Sequence, residues 1–242
     1  MPTCLLVRHG HSSANGDGVL AGRLPGIHLT DRGREQAAAL ATRFADTPLA
    51  RVVSSPLERC VETAEPLAAA TGLTAVLDDA LVECAYGAWT GRPLRDLAQE
   101  QLWSTVQDDP EAARFPDHET YAAESLREMA DRVVGCVRRI DAEVAAAHGA
   151  GALWVAVTHG DLVKAVLAEA TGSGLGRFQR YVADPASVSA VRFGERHTFL
   201  LAANDLAPEP ARFRLPQDPP PEGDAVVGGG AGEVRGTQDS RG

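Results

Sequence analysis

The chain has 242 residues, 44% of them hydrophobic, which is enough apolar mass for the core of one substantial α/β domain. Its 23 basic and 33 acidic residues leave a net charge of -10, which repels nucleic acid and anionic membranes; no run of Lys or Arg overrides it, and Lys164 is the only lysine. No stretch reaches the roughly 18 consecutive apolar residues of a membrane-spanning helix.

Residues 1–8 enter directly on a short apolar strand and lack the basic and apolar regions of a secretory signal, so a cytoplasmic location is expected. The apolar run over 4–7 predicts a buried strand that stops at Arg8-His9-Gly10. Thr30 and Asp31 can cap a helix whose apolar positions Ala37, Leu40, Ala41 and Phe44 recur at helical spacing. A second strand at Val52-Val53 ends in Ser54-Ser55-Pro56. Ser55 and Glu58 then have capping-box spacing, with Pro56 at the first helical position, and Arg59 is placed one turn inside that helix.

A longer helix is expected over 124–148, because Leu126, Met129, Val133, Val137, Ile140 and Val144 repeat with helical period. The apolar strand over 153–157 closes in Thr158-His159-Gly160, a helix follows over 162–170, and the segments 188–193 and 198–202 read as a closing hairpin. Strands alternating with helices predict a three-layer α/β/α fold around a mostly parallel central sheet. After Ala207 the chain turns rich in Pro and Gly without apolar periodicity, which sets a domain over 1–206 and a disordered tail over 207–242. Cys4, Cys60, Cys84 and Cys136 have no CxxC spacing and fit reduced thiols.

Three of these strands end in unusual polar groups. Ligands of open α/β sheets collect at the carboxyl ends of strands, and there this chain delivers Arg8 and His9, Ser54-Ser55 followed by Arg59, and Thr158-His159-Gly160. Two arginines and two histidines crowded at one sheet edge suit a phosphate dianion, whose oxygens take charge-assisted hydrogen bonds from guanidinium forks and helix N-termini. A neutral imidazole in that cluster is a competent nucleophile toward phosphorus, and the surrounding cations replace a metal in stabilising the moving phosphoryl group. The leaving alkoxide needs a proton. Glu83 is the candidate acid: it follows Leu81-Val82 and precedes Tyr86-Gly87-Ala88-Trp89-Thr90-Gly91, a setting that desolvates a carboxyl and raises its pKa.

Each feature alone has a plainer reading. His9-x-His11 by itself fits surface or capping histidines, and a metal site lacks a carboxylate and third histidine at short spacing. Tyr86 and Trp89 read as packing residues, His28 and His118 as loop histidines, and nothing lowers the thiol pKa of Cys60 or Cys84. The combination is what carries the reading. Leu6-Val7-Arg8-His9-Gly10, the run from Ser54-Ser55-Pro56 through Arg59-Cys60 to Thr63-Ala64, Glu83 with Gly87, Trp89 and Gly91, and Thr158-His159-Gly160 together resemble the histidine phosphatase superfamily, also called phosphoglycerate mutase-like.

That resemblance covers about 3–204. It implies His9 as the phosphorylated nucleophile and Glu83 as proton donor. Arg8, Arg59 and His159 would bind the phosphoryl group, with Asn15 and Gly160 as further substrate contacts. It implies hydrolysis of a small phosphorylated metabolite with no cofactor, no metal, and no nucleic-acid or membrane partner, and it leaves a homo-oligomer open. The alternatives are a phosphomutase acting on sugar or glycerate phosphates and a non-catalytic phospho-ligand-binding relative. The Arg-Arg pair that cofactor-dependent mutases usually carry after the acid is absent between Arg92 and Glu124. The chain also has His11 where many members have Glu, and Ala21 where relatives often place Gln or Thr. Before the long helix, Ala123-Glu124-Ser125 stands in place of Gly-Glu-Ser, and the preceding Asp117-His118-Glu119-Thr120-Tyr121 is expected to cover the pocket.

Overall fold

The structure is a computed structural model and describes residues 1–194 and 196–206. In chain order its elements are β1 (Thr3–Arg8), α1 (Ser13–Asp17), α2 (Asp31–Phe44), β2 (Leu49–Ser54), α3 (Glu58–Ala70), β3 (Val76–Leu77), α4 (Leu94–Leu97), α5 (Gln101–Asp108), α6 (Leu126–His148), β4 (Leu153–Thr158), α7 (Gly160–Ala170), β5 (Val188–Phe193) and β6 (Thr198–Asp205). The six strands form one sheet in the order β3-β2-β4-β1-β5-β6. The β3-β2-β4-β1 part is parallel, while β5 runs antiparallel to β1 and β6 antiparallel to β5, as the closing hairpin requires.

Alternation along the strands makes the three layers. Leu6, Val53, Trp154 and Ala156 face the side covered by α6 and α7, where Met129, Val133, Val137, Ile140, Leu162 and Val166 complete one core. Val7, Val52, Val155 and Val157 face the other side, against Leu40 and Phe44 of α2 and Cys60, Ala64 and Leu67 of α3. The parallel register levels the strand ends, with Arg8 opposite Thr158 and Ser54 opposite Val157. His9, Ser55 and His159 therefore emerge at one edge of the sheet.

Local signals act as expected at two helices. Thr30 caps α2 by accepting from Gly33 N, and Ser125 with Glu128 forms a reciprocal capping box that starts α6 one residue after the cap, two residues later than the periodicity predicts. At α3 they do not. The helix begins at Glu58 with Leu57 as its cap and no side-chain cap bond, so the predicted Ser55–Glu58 box is absent and Arg59 is the second helical residue. Tertiary partners have taken both side chains: Ser55 Oγ is 2.9 Å from His159 Nε2, and Glu58 Oε1 accepts from Gly26 N. The helix after β4 begins at Gly160, two residues before the expected start. The predicted Pro/Gly-rich tail over 207–242 lies outside the described residues. Among the described residues no helix is long and apolar enough to cross a membrane, and the four cysteines are free and buried.

The loop after β1 is seated directly on the first turn of α2. A Cβ on Gly33 would lie 2.0 Å from the His11 carbonyl oxygen, and one on Gly10 would lie 2.7 Å from the Gly33 carbonyl oxygen. Both obstacles are backbone and cannot swing aside. Gly33→Ala is therefore expected to cost on the order of 3 kcal/mol by overpacking, read as a lowered urea midpoint with unchanged slope. A variant as stable as the parent would show that the loop yields.

Candidate active site

The strand edge, the start of α3 and the segment after β3 place Arg8, His9, Arg59, Glu83 and His159 in one buried cluster, none more than 5% exposed. His9 Nδ1 lies 2.7 Å from the Gly10 carbonyl oxygen. A carbonyl only accepts, so Nδ1 carries the proton and Nε2 carries the lone pair. Burial, then the charges of Arg59 and Arg8, hold the His9 pKa well below its usual value. The ring is neutral at ordinary pH, as a nucleophile must be.

Arg59 donates from Nε to His9 Nε2 at 3.3 Å, and from Nη2 to the Gly22 carbonyl at 2.9 Å and to His159 Nδ1 at 3.1 Å. His159 Nδ1 therefore accepts, and its Nε2–H donates to Ser55 Oγ. Burial and the neighbouring cations hold His159 neutral as well. Arg8 is anchored by a 2.7 Å bond from Nη1 to the Ala183 carbonyl. The Gly10 amide donates to Thr63 Oγ1 on α3, tying the nucleophile's loop to the arginine's helix.

Glu83 Oε2 is 3.8 Å from His159 Nδ1. Its pKa is raised to about 7, first by burial and then by the charge of Asp161, against the opposing pull of Arg59 and Arg8. Its backbone is held by a clamp: Arg132 Nη1 donates to the Ala80 and Val82 carbonyls at 2.9 and 2.8 Å, and Arg23 Nε donates to the Glu83 carbonyl at 2.7 Å. Both arginines converge on Glu124 Oε1, which also accepts from Ala85 N.

Arg8, His9, Arg59 and Glu83 open onto a small, partly open cavity whose other walls include Ser12, Ala14, Asn15, Val19, Leu20, Ala21, Tyr86 and Leu94. Asn15 lines it while its Oδ1 accepts from Ser12 N and Ser12 Oγ in the cap of α1. His159 and Gly160 stand behind the lining rather than in it. The loop over 117–121 does not cover the cavity: none of its residues lines it, residues 117–120 are exposed, and His118 stacks on Tyr121 instead. Cys60 Sγ approaches His159 Nε2 at 3.5 Å, yet burial pushes its thiol up to about 12, which leaves it unreactive.

Sequence reasoning missed Ser55 as the partner of His159, the Arg23–Glu124–Arg132 clamp, and the contact of Tyr86 with buried Asp161 at 2.8 Å. One signal was available for the last of these. Asp161 and the only lysine stand three residues apart in a helix that is otherwise nearly all apolar.

The model of the histidine phosphatase superfamily (branch 1) matches residues 4–206. The chain belongs to the histidine phosphatase superfamily. Phosphoserine phosphatase 1 of Hydrogenobacter thermophilus is 29% identical over 206 residues, 84% of this chain and 92% of that protein. An uncharacterized protein of Mycobacterium tuberculosis is 48% identical over a shorter stretch of 80 residues, 33% of this chain and 39% of that relative's length. Among solved structures, the α-ribazole phosphatase of Shigella flexneri superposes with a TM-score of 0.70 at 27% identity, covering 84% of this chain and 96% of that one. This member of the superfamily thus resembles enzymes of phosphate esters whose named substrates differ.

Proposed function

We propose that the protein is a metal-independent phosphatase that hydrolyses a small phosphomonoester through a phosphohistidine on His9. One observation carries this reading. Arg59 Nη1 is buried and has no hydrogen-bond partner among the described residues, in a cavity wall it shares with Arg8 and neutral His9. A buried guanidinium N–H without an acceptor costs free energy that a phosphoryl oxygen recovers. An anion is the complement of that wall.

The sequence of bonds follows from the tautomers. The ester's phosphoryl oxygens take the N–H groups of Arg59 and Arg8, and Arg59 turns its Nε–H from His9 Nε2 toward them. His9 Nε2 attacks phosphorus, the N–P bond forms and the ester P–O bond breaks, and Glu83 gives its proton to the departing alkoxide. Water then attacks the phosphohistidine, yields its proton to the Glu83 carboxylate, and inorganic phosphate leaves with His9 neutral again. Charge on the equatorial oxygens is stabilised by fixed cations throughout.

The remaining lining supports a substrate class. Beyond Arg8, His9 and Arg59, the lining residues include no other basic side chain, and Ala14, Val19, Leu20, Ala21 and Leu94 make much of the wall apolar. An alcohol without a second anionic group fits this better than a phosphorylated carboxylic acid. A panel of phosphorylated metabolites checks it: neutral alcohol or nucleoside-type esters are expected to give the higher kcat/KM, and a preference for phosphoserine or phosphoglycerate would refute the class.

Among the described residues no group of three or more His, Cys, Asp or Glu is placed to hold a metal ion. Phosphate release is accordingly expected to survive an excess of chelator within about two-fold, since the arginines supply the electrostatics. Loss on chelation with recovery on adding zinc or magnesium would replace this mechanism with a metal-assisted one.

A further inference from the structure

The segment 183–187, just before β5, touches both Arg8 and His9. Its Ala183 carbonyl accepts from Arg8 Nη1 at 2.7 Å, its Ala186 N–H donates to the carbonyls of Arg8 and His9 at 3.1 Å each, and its Ser187 carbonyl accepts from Arg8 N at 3.2 Å. Arg8 is thus set against this segment by its side chain as well as its backbone. The guanidinium is 1% exposed and lines the cavity, so the aim of its fork depends on what holds the Nη1 corner.

Backbone geometry marks the same place. Among the described residues only Ala186 and Asn204 combine a positive φ with a side chain, at 63° and 52°. That conformation is uncommon for a residue with a Cβ and persists where the surroundings impose it. Asn204 stands near the end of β6, where the pairs Val188–Asp205 and Ala190–Ala202 leave one extra residue on β6. Such a bulge re-aims a side chain. Here it turns Asn204 onto Asp184: Oδ1 accepts from Asp184 N at 2.7 Å, and Nδ2 donates to Asp184 Oδ2 at 2.8 Å.

The Asp184 N–H and the Ala183 C=O are the two poles of one peptide group. That group is planar and trans, so a partner that fixes the N–H also fixes the direction of the oxygen. Asn204 holds one pole and Arg8 takes the other, and each bond polarises the peptide in favour of its neighbour. Asp184 and Asn204 are only part-buried, so water could satisfy either polar group. Satisfaction alone does not call for a left-handed asparagine in a bulge; orientation does.

We propose that Asn204 is a positioning residue for Arg8: by fixing the peptide between Ala183 and Asp184, it aims the Arg8 guanidinium at the phosphoryl group. The inference rests on Arg8 binding that group.

Asn204→Gly tests it, because glycine keeps the left-handed backbone and removes only the side-chain grip. Inorganic phosphate affinity by calorimetry, and kcat and KM on an alkyl and a nitrophenyl phosphate, are measured for the parent, Asn204→Gly, Arg8→Met and the double variant. Asn204→Gly is expected to weaken phosphate about ten-fold and to raise the KM of both esters by a similar factor, with kcat changed less. In the Arg8→Met background the same change is expected to alter phosphate affinity by less than about two-fold, since the residue it acts through is gone. A merely structural role would lower the melting temperature and leave the affinity of the folded protein alone. Should Asn204→Gly not fold, Asp184→Ala removes the Nδ2 bond from the other side and is expected to weaken phosphate about three-fold, again only while Arg8 is present. Unchanged phosphate affinity, or the same loss with and without Arg8, would overturn this inference alone. Parent-like phosphate binding by Arg8→Met would overturn the role of Arg8 in holding the anion and this inference with it.

Discussion

His9→Ala is expected to abolish turnover of every ester the parent hydrolyses, with a fall in kcat on the order of 10^4-fold or more, because removal of a covalent nucleophile leaves only binding and electrostatics. The variant should still bind. Arg8 and Arg59 are anchored by the Ala183 and Gly22 carbonyls and do not depend on the imidazole for position. Inorganic phosphate is therefore expected to bind His9→Ala with an affinity within about ten-fold of the parent's, measurable by calorimetry. In the parent, acid-sensitive phosphate trapped during turnover and located by mass spectrometry should map to His9. Full activity in His9→Ala, or trapped phosphate on another residue, refutes the proposed intermediate.

Glu83→Gln separates proton donation from anion binding. The amide keeps the shape and the contact with Cys84 N but has no proton to give. An alkyl phosphate, whose alkoxide is a poor leaving group, is expected to lose about 10^2- to 10^4-fold in kcat/KM, and nitrophenyl phosphate less than about ten-fold. Arg59→Ala should damage both esters alike, since both present the same phosphoryl oxygens. The parent's pH profile gives a second reading. Glu83 titrates at about 7 in the folded protein, and the acid form is the active one in the first step, so alkyl-ester cleavage should persist below pH 7 and decline above it. Nitrophenyl phosphate should decline less over the same range. An alkyl-ester profile rising through that range would contradict donation by Glu83.

Much of the frame is local and was legible in the chain itself. The continuous apolar runs at 4–7 and 153–157, the Thr30 cap and the 3.6-residue repeat along 126–144 each concern neighbours in sequence, and the strands and helices follow within a residue or two. Because parallel strands expose their carboxyl ends at one edge, even the gathering of Arg8, His9, Arg59 and His159 could be read from three strand-ending motifs. What the sequence could not settle is every choice between competing partners. Ser55 had the spacing of a helix cap, and the structure turns its hydroxyl to His159, 104 residues away, because a fully buried ring N–H needs an acceptor. The loop over 117–121 looked like a cover and instead lies off the cavity. Glu83 was legible as a candidate acid, but its proton depends on burial and on charges brought near it from elsewhere in the chain, and the clamp that holds its backbone joins Arg23 to Glu124 and Arg132 around the start of α6. Periodicity and capping act through bonds a few residues long, so the sequence alone determines them; electrostatics and hydrogen-bond competition act through space in a low-dielectric interior, where only the tertiary structure sets the distances.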